Sequence, residues 1–285
     1  MTETPHGLAD VRLTFASATD VGHKRAVNED SLLAESPIFI VADGMGGHEA
    51  GDKASAAVID AFARLLEADT VTIDDVTQAV EYAHNSVEAI ADLTTRGAGS
   101  TLTGIVLVEH ADTPQWLVVN IGDSRVYRAH GSDLAQLTID HSVVAQLVAD
   151  GTLQPEEAAT YVGRNVITRA VGSPESPPDF WLHPLVTGER LLICSDGLTG
   201  ELDDETIRAT LTSAASAQQV ADDLLAHALD NGGRDNVTLI VVDVVAGGLE
   251  ASDPSFDEIN TETTEVRVND TVEVPSRKGR PPFGD

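Results

Sequence analysis

A single cysteine, Cys194, stands in a chain of 285 residues, so no intramolecular disulfide can form and nothing points to an oxidising compartment. Basic side chains are scarce: 17 Lys and Arg against 47 Asp and Glu give a formal net charge of −30. A field of that sign repels nucleic-acid backbones and anionic lipid, which argues against DNA, RNA and membrane-surface partners. No apolar run approaches the roughly 18 residues of a membrane-spanning helix. Met1 to Asp10 holds no basic stretch followed by an apolar one, so a cytoplasmic protein without a leader is expected. Aromatic residues are only 4%, and aliphatic side chains must therefore build the core. With 42% hydrophobic and 22% charged residues, most of the chain has the composition of a globular body.

The acidity is not confined to one end. Residues 247–285 hold nine acidic and four basic residues, a net of −5, which leaves −25 of the −30 on the rest. Most of that charge serves solvation, and a cleft holding divalent cations would add to it. Gly247-Gly248 opens a stretch rich in Thr, Glu, Asp and Pro with few large apolar side chains. Such a segment cannot offset its ordering entropy and is expected to be a disordered acidic tail, with residues 1–246 as the folded domain. Its threonines Thr261, Thr263 and Thr264 sit among acids, where solvation is a simpler reading than modification.

Short β-branched runs at 37–42, 102–108, 115–121, 190–194 and 237–245 read as strands. A 3.6-residue apolar rhythm over 54–66, 76–93 and 220–229 predicts amphipathic helices. Shorter helices are expected at 143–149 and 205–211, the latter opened by Asp203 and Asp204. Strands follow one another in hairpin-like succession rather than in strict β-α alternation. The fold class expected is therefore α+β, with antiparallel sheets packed together and helices outside.

Two segments resemble each other: Phe39-Ile40-Val41-Ala42-Asp43-Gly44 and Leu192-Ile193-Cys194-Ser195-Asp196-Gly197. In both an apolar strand delivers Asp-Gly, placing a carboxylate at a sheet rim while the glycine allows a sharp turn and a close carbonyl. Taken singly, Asp-Gly after a strand is only a turn signal. Asp123 and Asp235 occupy similar strand-flanking positions, and Glu29-Asp30 lies early in the chain. A cluster of oxygen donors without Cys or His at ligand spacing favours Mg²⁺ or Mn²⁺ over zinc.

The ordered series Arg25 to Asp30, Val41 to Gly47, Gly99-Ser100-Thr101, Asn120 to Arg125, Leu137 to Ser142, Ile167 to Gly172, Cys194 to Leu198 and Gly233 to Thr238 resembles the bacterial metal-dependent Ser/Thr protein phosphatases of the 2C type. The match spans roughly residues 14–245. The resemblance implies a four-layer αββα sandwich with two Mn²⁺ or Mg²⁺ ions at one edge. By position Asp43 would bridge both ions, the Gly44 carbonyl would bind one, and Asp196 and Asp235 would complete the other. Asp123 would help hold a weaker third ion beside a flap at about 142–165. Glu29, Asp30 and Asn236 would act on the metal-bound waters, and Arg25 would clamp the substrate phosphate. A hydroxide bridging two cations is a strong nucleophile already in line, and the same cations neutralise the transferring group, so no covalent phosphoenzyme is needed. Cys194 is then a core residue rather than a nucleophile.

For the leaving-group proton the sequence leaves alternatives. Eukaryotic relatives place His directly after Asp-Gly, whereas Met45 stands there and the nearest histidine is His48. His48 as general acid, His48 as an ordinary loop residue, and a metal-bound water as acid all remain open. His141 reads as orienting the flap, and Arg125 and Arg169 as structural partners of acids. The expected function is hydrolysis of phosphoserine and phosphothreonine on proteins, opposing bacterial Ser/Thr kinases, by a monomer. The competing readings are a phosphatase narrowed to one regulatory partner and an inactive phosphoprotein-binding relative; the latter would have lost a metal-binding acid, yet all are present.

Overall fold

A computed structural model describes residues 2–3, 10–46, 50–111, 113–250, 264–265 and 274–275. The strands are β1 Thr2–Glu3, β2 Arg12–Asp20, β3 Asp30–Glu35, β4 Ile38–Gly46, β5 Ala98–Ser100, β6 Leu102–His110, β7 Thr113–Ile121, β8 Arg125–His130, β9 Asp133–Gln136, β10 Asp179–Pro184, β11 Arg190–Cys194, β12 Val237–Ala246, β13 Thr264–Glu265 and β14 Val274–Pro275. The helices are α1 Ala50–Ala63, α2 Ile73–Asp92, α3 Val143–Ala149, α4 Asp196–Thr199, α5 Asp204–Leu211 and α6 Ala217–Asp230. One sheet runs β1-β2-β12-β11-β8-β9, the other β14-β13-β10-β7-β6-β4-β3 with β5 on β4, and the strand pairs are antiparallel throughout.

Three apolar layers result, because the buried strands present side chains to both faces. Phe39, Val41, Ile105, Trp116, Val118, Ile193, Ile240 and Val242 interlock between the sheets. Ile38, Ile40, Val106, Leu117 and Val119 turn outward to meet Ala54, Val58 and Phe62 of α1 and Val76, Val80 and Val87 of α2. On the opposite face Leu192, Cys194, Leu239 and Val241 meet Leu198, Ile207, Val220 and Leu224 of α4, α5 and α6. The fold is thus the αββα sandwich of the α+β class.

The periodic segments are all helical. Helix α1 begins four residues before the apolar rhythm and gives way at Arg64 to a short 3-10 turn, Arg64–Glu67. Thr72 and Asp75 form a reciprocal capping box at the start of α2, and Asp203 caps α5 by accepting from Thr206 N. Most of the tail lies outside the described residues. Its first residues are bound to the body: Thr187 N donates to Leu249 O at 2.9 Å and Leu249 N to Leu185 O at 2.8 Å.

Candidate active site

Strand β4 runs between β6 and β3 in one sheet and β11 between β12 and β8 in the other, so both are flanked on each side, which explains why their sequences resemble one another. Residues 38–42 are fully buried, and so are 191–194, and the two strands bring Asp43 and Asp196 within hydrogen-bonding reach at one rim of the sandwich. Asp43 lies within β4, and Asp196 follows β11 and opens α4. The end of β4 is pinned: Asp43 N donates to Thr101 Oγ1 at 2.9 Å, Asp43 O accepts from Thr101 N at 2.8 Å, and Gly44 N donates to Glu29 O at 3.1 Å. At Gly44 a Cβ would lie 2.0 Å from Gly51 O and 2.6 Å from Glu29 O, so only glycine lets the start of α1 approach this closely.

Across the sandwich Ser195 Oγ donates to Asp30 Oδ2 at 2.9 Å while accepting from Thr238 N at 3.0 Å. Asn236, at the head of β12, accepts from Glu29 N at 2.9 Å and donates to Val21 O and Val27 O, both at 3.0 Å. These bonds fix the loop that carries Arg25, whose Nη2 lies 2.6 Å from Asp235 Oδ2. The Glu29 carboxylate lies against Gly51 at the start of α1. Asp123 sits in the β7–β8 turn, where Gly122 takes a φ of +114°. His48 lies outside the described residues.

Asp30, Asp43, Asp123, Asp196 and Asp235 therefore form one electrostatic cluster. Burial pushes the Asp43 carboxyl well above its ordinary range, and Asp30, Asp196, Asp123 and Asp235 push it further. Asp123 is raised to about 7 by burial and then by Asp196 and Asp140. Asp30 is raised to about 6 by burial, with bonds from Thr238 and Ser195 opposing. Asp196 is raised by burial and by Asp235, and it shares a hydrogen bond with Asp43. Carboxyls held this close need a proton or a cation between them.

The donor set fits hard cations. It is made of oxygens, Asp30 Oδ1 is buried with no hydrogen-bond partner among the described residues, and Arg125, a part-buried cation nearby, is already committed to Asp140 at 2.7 Å. Among the described residues no three Asp, Glu, His or Cys side chains are drawn around a single point; Asp43 and Asp196 meet through a hydrogen bond instead. Cys194 is fully buried and its thiol is pushed up to about 12 by burial, which leaves it inert as a nucleophile.

Some neighbours were not visible in sequence. Glu201 receives Arg234 N, Nε and Nη2, each at 2.8 Å, and so ties the loop before Asp235 to the turn after Asp196. As isolated charged residues both read as solvation, and only their adjacency to the two aspartates hints otherwise. Arg169 pairs with Asp179 at 2.6 Å, a partner that no sequence pattern indicated.

The family model described as protein phosphatase 2C matches residues 21–232. The serine/threonine protein phosphatase PstP of Mycobacterium tuberculosis is 38% identical over 237 residues, covering 82% of this chain but 45% of that protein. The chain thus spans about half the length of this relative. Protein phosphatase PhpP of Streptococcus pneumoniae is 35% identical, with 79% of this chain and 94% of that protein covered. The crystal structure of the PstP catalytic domain in complex with two manganese ions superposes with a TM-score of 0.75 at 36% identity, covering 83% of this chain and 99% of that one. The sandwich, the rim of aspartates and a match running through nearly all of the described body have one source: the chain belongs to the protein phosphatase 2C family.

Proposed function

We propose that this chain hydrolyses phosphoserine and phosphothreonine on proteins with the help of two Mn²⁺ or Mg²⁺ ions. The observation that carries the reading is the convergence of Asp43, Asp196 and Asp235 from three distant strand ends on one rim, with Arg25 beside them. Two such ions would supply a water of lowered pKa and charge neutralisation on the transferring phosphoryl group. In this reading Asp43 and the Gly44 carbonyl would help hold one ion, and Asp43 with Asp196 and Asp235 the other. Asp123 offers a carboxylate for a weaker third ion. Asp30, held by Ser195, and Glu29 and Asn236 behind it keep the donors in place. Arg25 is half-exposed and held by one carboxylate, so its guanidinium has room to turn toward a phosphate, whose oxygens its planar donors match. His48 stands as the candidate to protonate the leaving alkoxide.

The acid set is complete, which favours an active enzyme over a binding relative. We assign catalysis to residues 1–246 and treat 247–285 as an appended acidic tail. Among the described residues no helix is long and apolar enough to cross a membrane. We place the chain in the cytoplasm as a monomer that acts on phosphorylated proteins opposite a Ser/Thr kinase. Asp43→Ala and Asp235→Ala test the reading. Asp43→Ala is expected to abolish Mn²⁺ binding in both halves of the site and Asp235→Ala in one, and each to lower kcat by at least about a thousandfold; near-normal turnover in either would sink the two-ion assignment.

A further inference from the structure

The chain leaves β9 through Asp140-His141-Ser142, forms the flap with α3, and returns through Thr168-Arg169 to Asp179 at the start of β10. All three stretches meet at His141, which is 5% exposed. Its backbone N donates to Gly122 O at 2.9 Å, and its backbone O accepts from Thr168 N at 2.7 Å. Its ring Nδ1 accepts from Gly122 N at 3.1 Å, and its Nε2 lies 3.0 Å from Asp179 Oδ2. An amide N–H can only donate, so Nδ1 must be the bare nitrogen and the ring proton sits on Nε2, where it donates to Asp179. Arg169 Nη1, 3.1 Å from Nε2, then donates instead to Asp179 Oδ1 at 2.6 Å and to Pro177 O at 3.1 Å. Asp179 thereby selects the tautomer that holds the Gly122 amide.

Gly122 immediately precedes Asp123, and its turn has little freedom. A Cβ there would stand 2.7 Å from Thr101 Cγ2, Asn120 Nδ2 donates to Gly122 O and Ile139 O at 3.1 Å each, and Arg125 grips Asp140 through both Nε and Nη2. Burial alone would raise the Asp179 carboxyl, but the bonds from His141 and Arg169 outweigh it and hold it below its ordinary value, so the orienting group stays ionised.

We propose that His141 and Asp179 are positioning residues that join the Asp123 turn to both legs of the flap, so that a change at Asp179 is felt at Asp123. Groups that orient a ligand through one intermediate commonly change metal affinity about 10- to 100-fold when removed. The cation arm of this inference rests on reading Asp123 as the holder of the weakest ion.

Three variants of the full chain separate the two halves of the device. Asp179→Asn keeps the shape and removes the charge. His141→Asn retains an acceptor near Nδ1 for Gly122 but loses Asp179, and His141→Gln retains a donor near Nε2 but loses Gly122. Hydrogen exchange is read over 120–125 and 166–169, with β4 and β11 as internal references, and Mn²⁺ alone is titrated calorimetrically. Asp179→Asn is expected to speed exchange about tenfold in both segments and to weaken only the weakest Mn²⁺ class about tenfold. His141→Gln should loosen 120–125 more than His141→Asn does. Faster exchange confined to 166–169, or an equal rise across β4 and β11, would overturn the proposal. If Asp123→Ala leaves the Mn²⁺ isotherm unchanged, the cation reading of Asp123 fails, and the exchange data still decide the coupling.

Discussion

Acid sensitivity from one histidine offers a quantitative check on the packing. His183 lies on β10 directly opposite Trp116 of β7. It is 3% exposed, and neither ring nitrogen has a hydrogen-bond partner among the described residues. Burial, reinforced by the Arg128 guanidinium, pulls its pKa down to about 3. Arg128 itself is locked to Glu189 at 2.6 Å, and Glu189 also receives Trp116 Nε1 at 3.0 Å, so neither side chain turns to satisfy the imidazole. In the unfolded chain the same ring takes up a proton near pH 6.5. Between pH 6.5 and about 3 the unfolded state therefore binds a proton that the folded state refuses, and stability falls as pH falls through that window. At 1.36 kcal/mol per pH unit the loss is about 2 kcal/mol at pH 5 and about 3 kcal/mol at pH 4. Buried acids such as Glu189 titrate too, so the measurement is a difference. Urea unfolding of wild type and His183→Leu is followed by circular dichroism at pH 7.5, 6, 5 and 4. The gap between the two stabilities should widen in the variant's favour by those amounts below pH 6.5. Parallel stability curves would refute the argument that His183 is held neutral without a partner.

Arg25→Ala should raise KM for a phosphopeptide roughly tenfold while leaving kcat within a few-fold, since a charge-assisted contact to phosphate is about 1.4 kcal/mol; an unchanged KM in steady-state assays would argue against a phosphate clamp. Gly44→Ala puts a methyl against two backbone oxygens and should destabilise the fold by more than about 2 kcal/mol in denaturant titration, whereas an unchanged midpoint would mean that the start of α1 gives way freely. Compared with a chain ending after Glu250, one ending after Ala246 also loses the Leu249 bonds to Leu185 and Thr187 and should melt about 5 °C lower, from about 2 kcal/mol. Equal melting temperatures for the two truncations would show that the Leu249 strap contributes nothing.

The helices were legible because burial on one face imprints a 3.6-residue rhythm, as Val76, Val80, Ala83 and Val87 do on α2. The central strands were legible because both faces are covered, which makes 38–42 and 237–242 almost continuously apolar. Other strands escaped notice because exposure or polar residues interrupt that apolar run. β3 is half-exposed along its length, β8 alternates Arg125 and Arg128 with buried Val126 and Tyr127, and β10 hides a histidine and a proline among its apolar residues. The aspartates at the rim were found through their Asp-Gly context and order along the chain. The residues that hold them were not, because Ser195 with Asp30, Glu201 with Arg234 and His141 with Asp179 are partnerships across 165, 33 and 38 positions, which only the folded sheets bring together.

The most direct test of the central claim is hydrolysis of a phosphothreonine peptide by the chelated protein, then with Mn²⁺ or Mg²⁺ restored, with Asp196→Ala measured alongside. The account predicts no turnover after chelation, recovery with either ion, and loss of that recovery in the variant. Full turnover in the presence of chelator, or Mn²⁺ binding without turnover of any peptide or aryl phosphate, would contradict it.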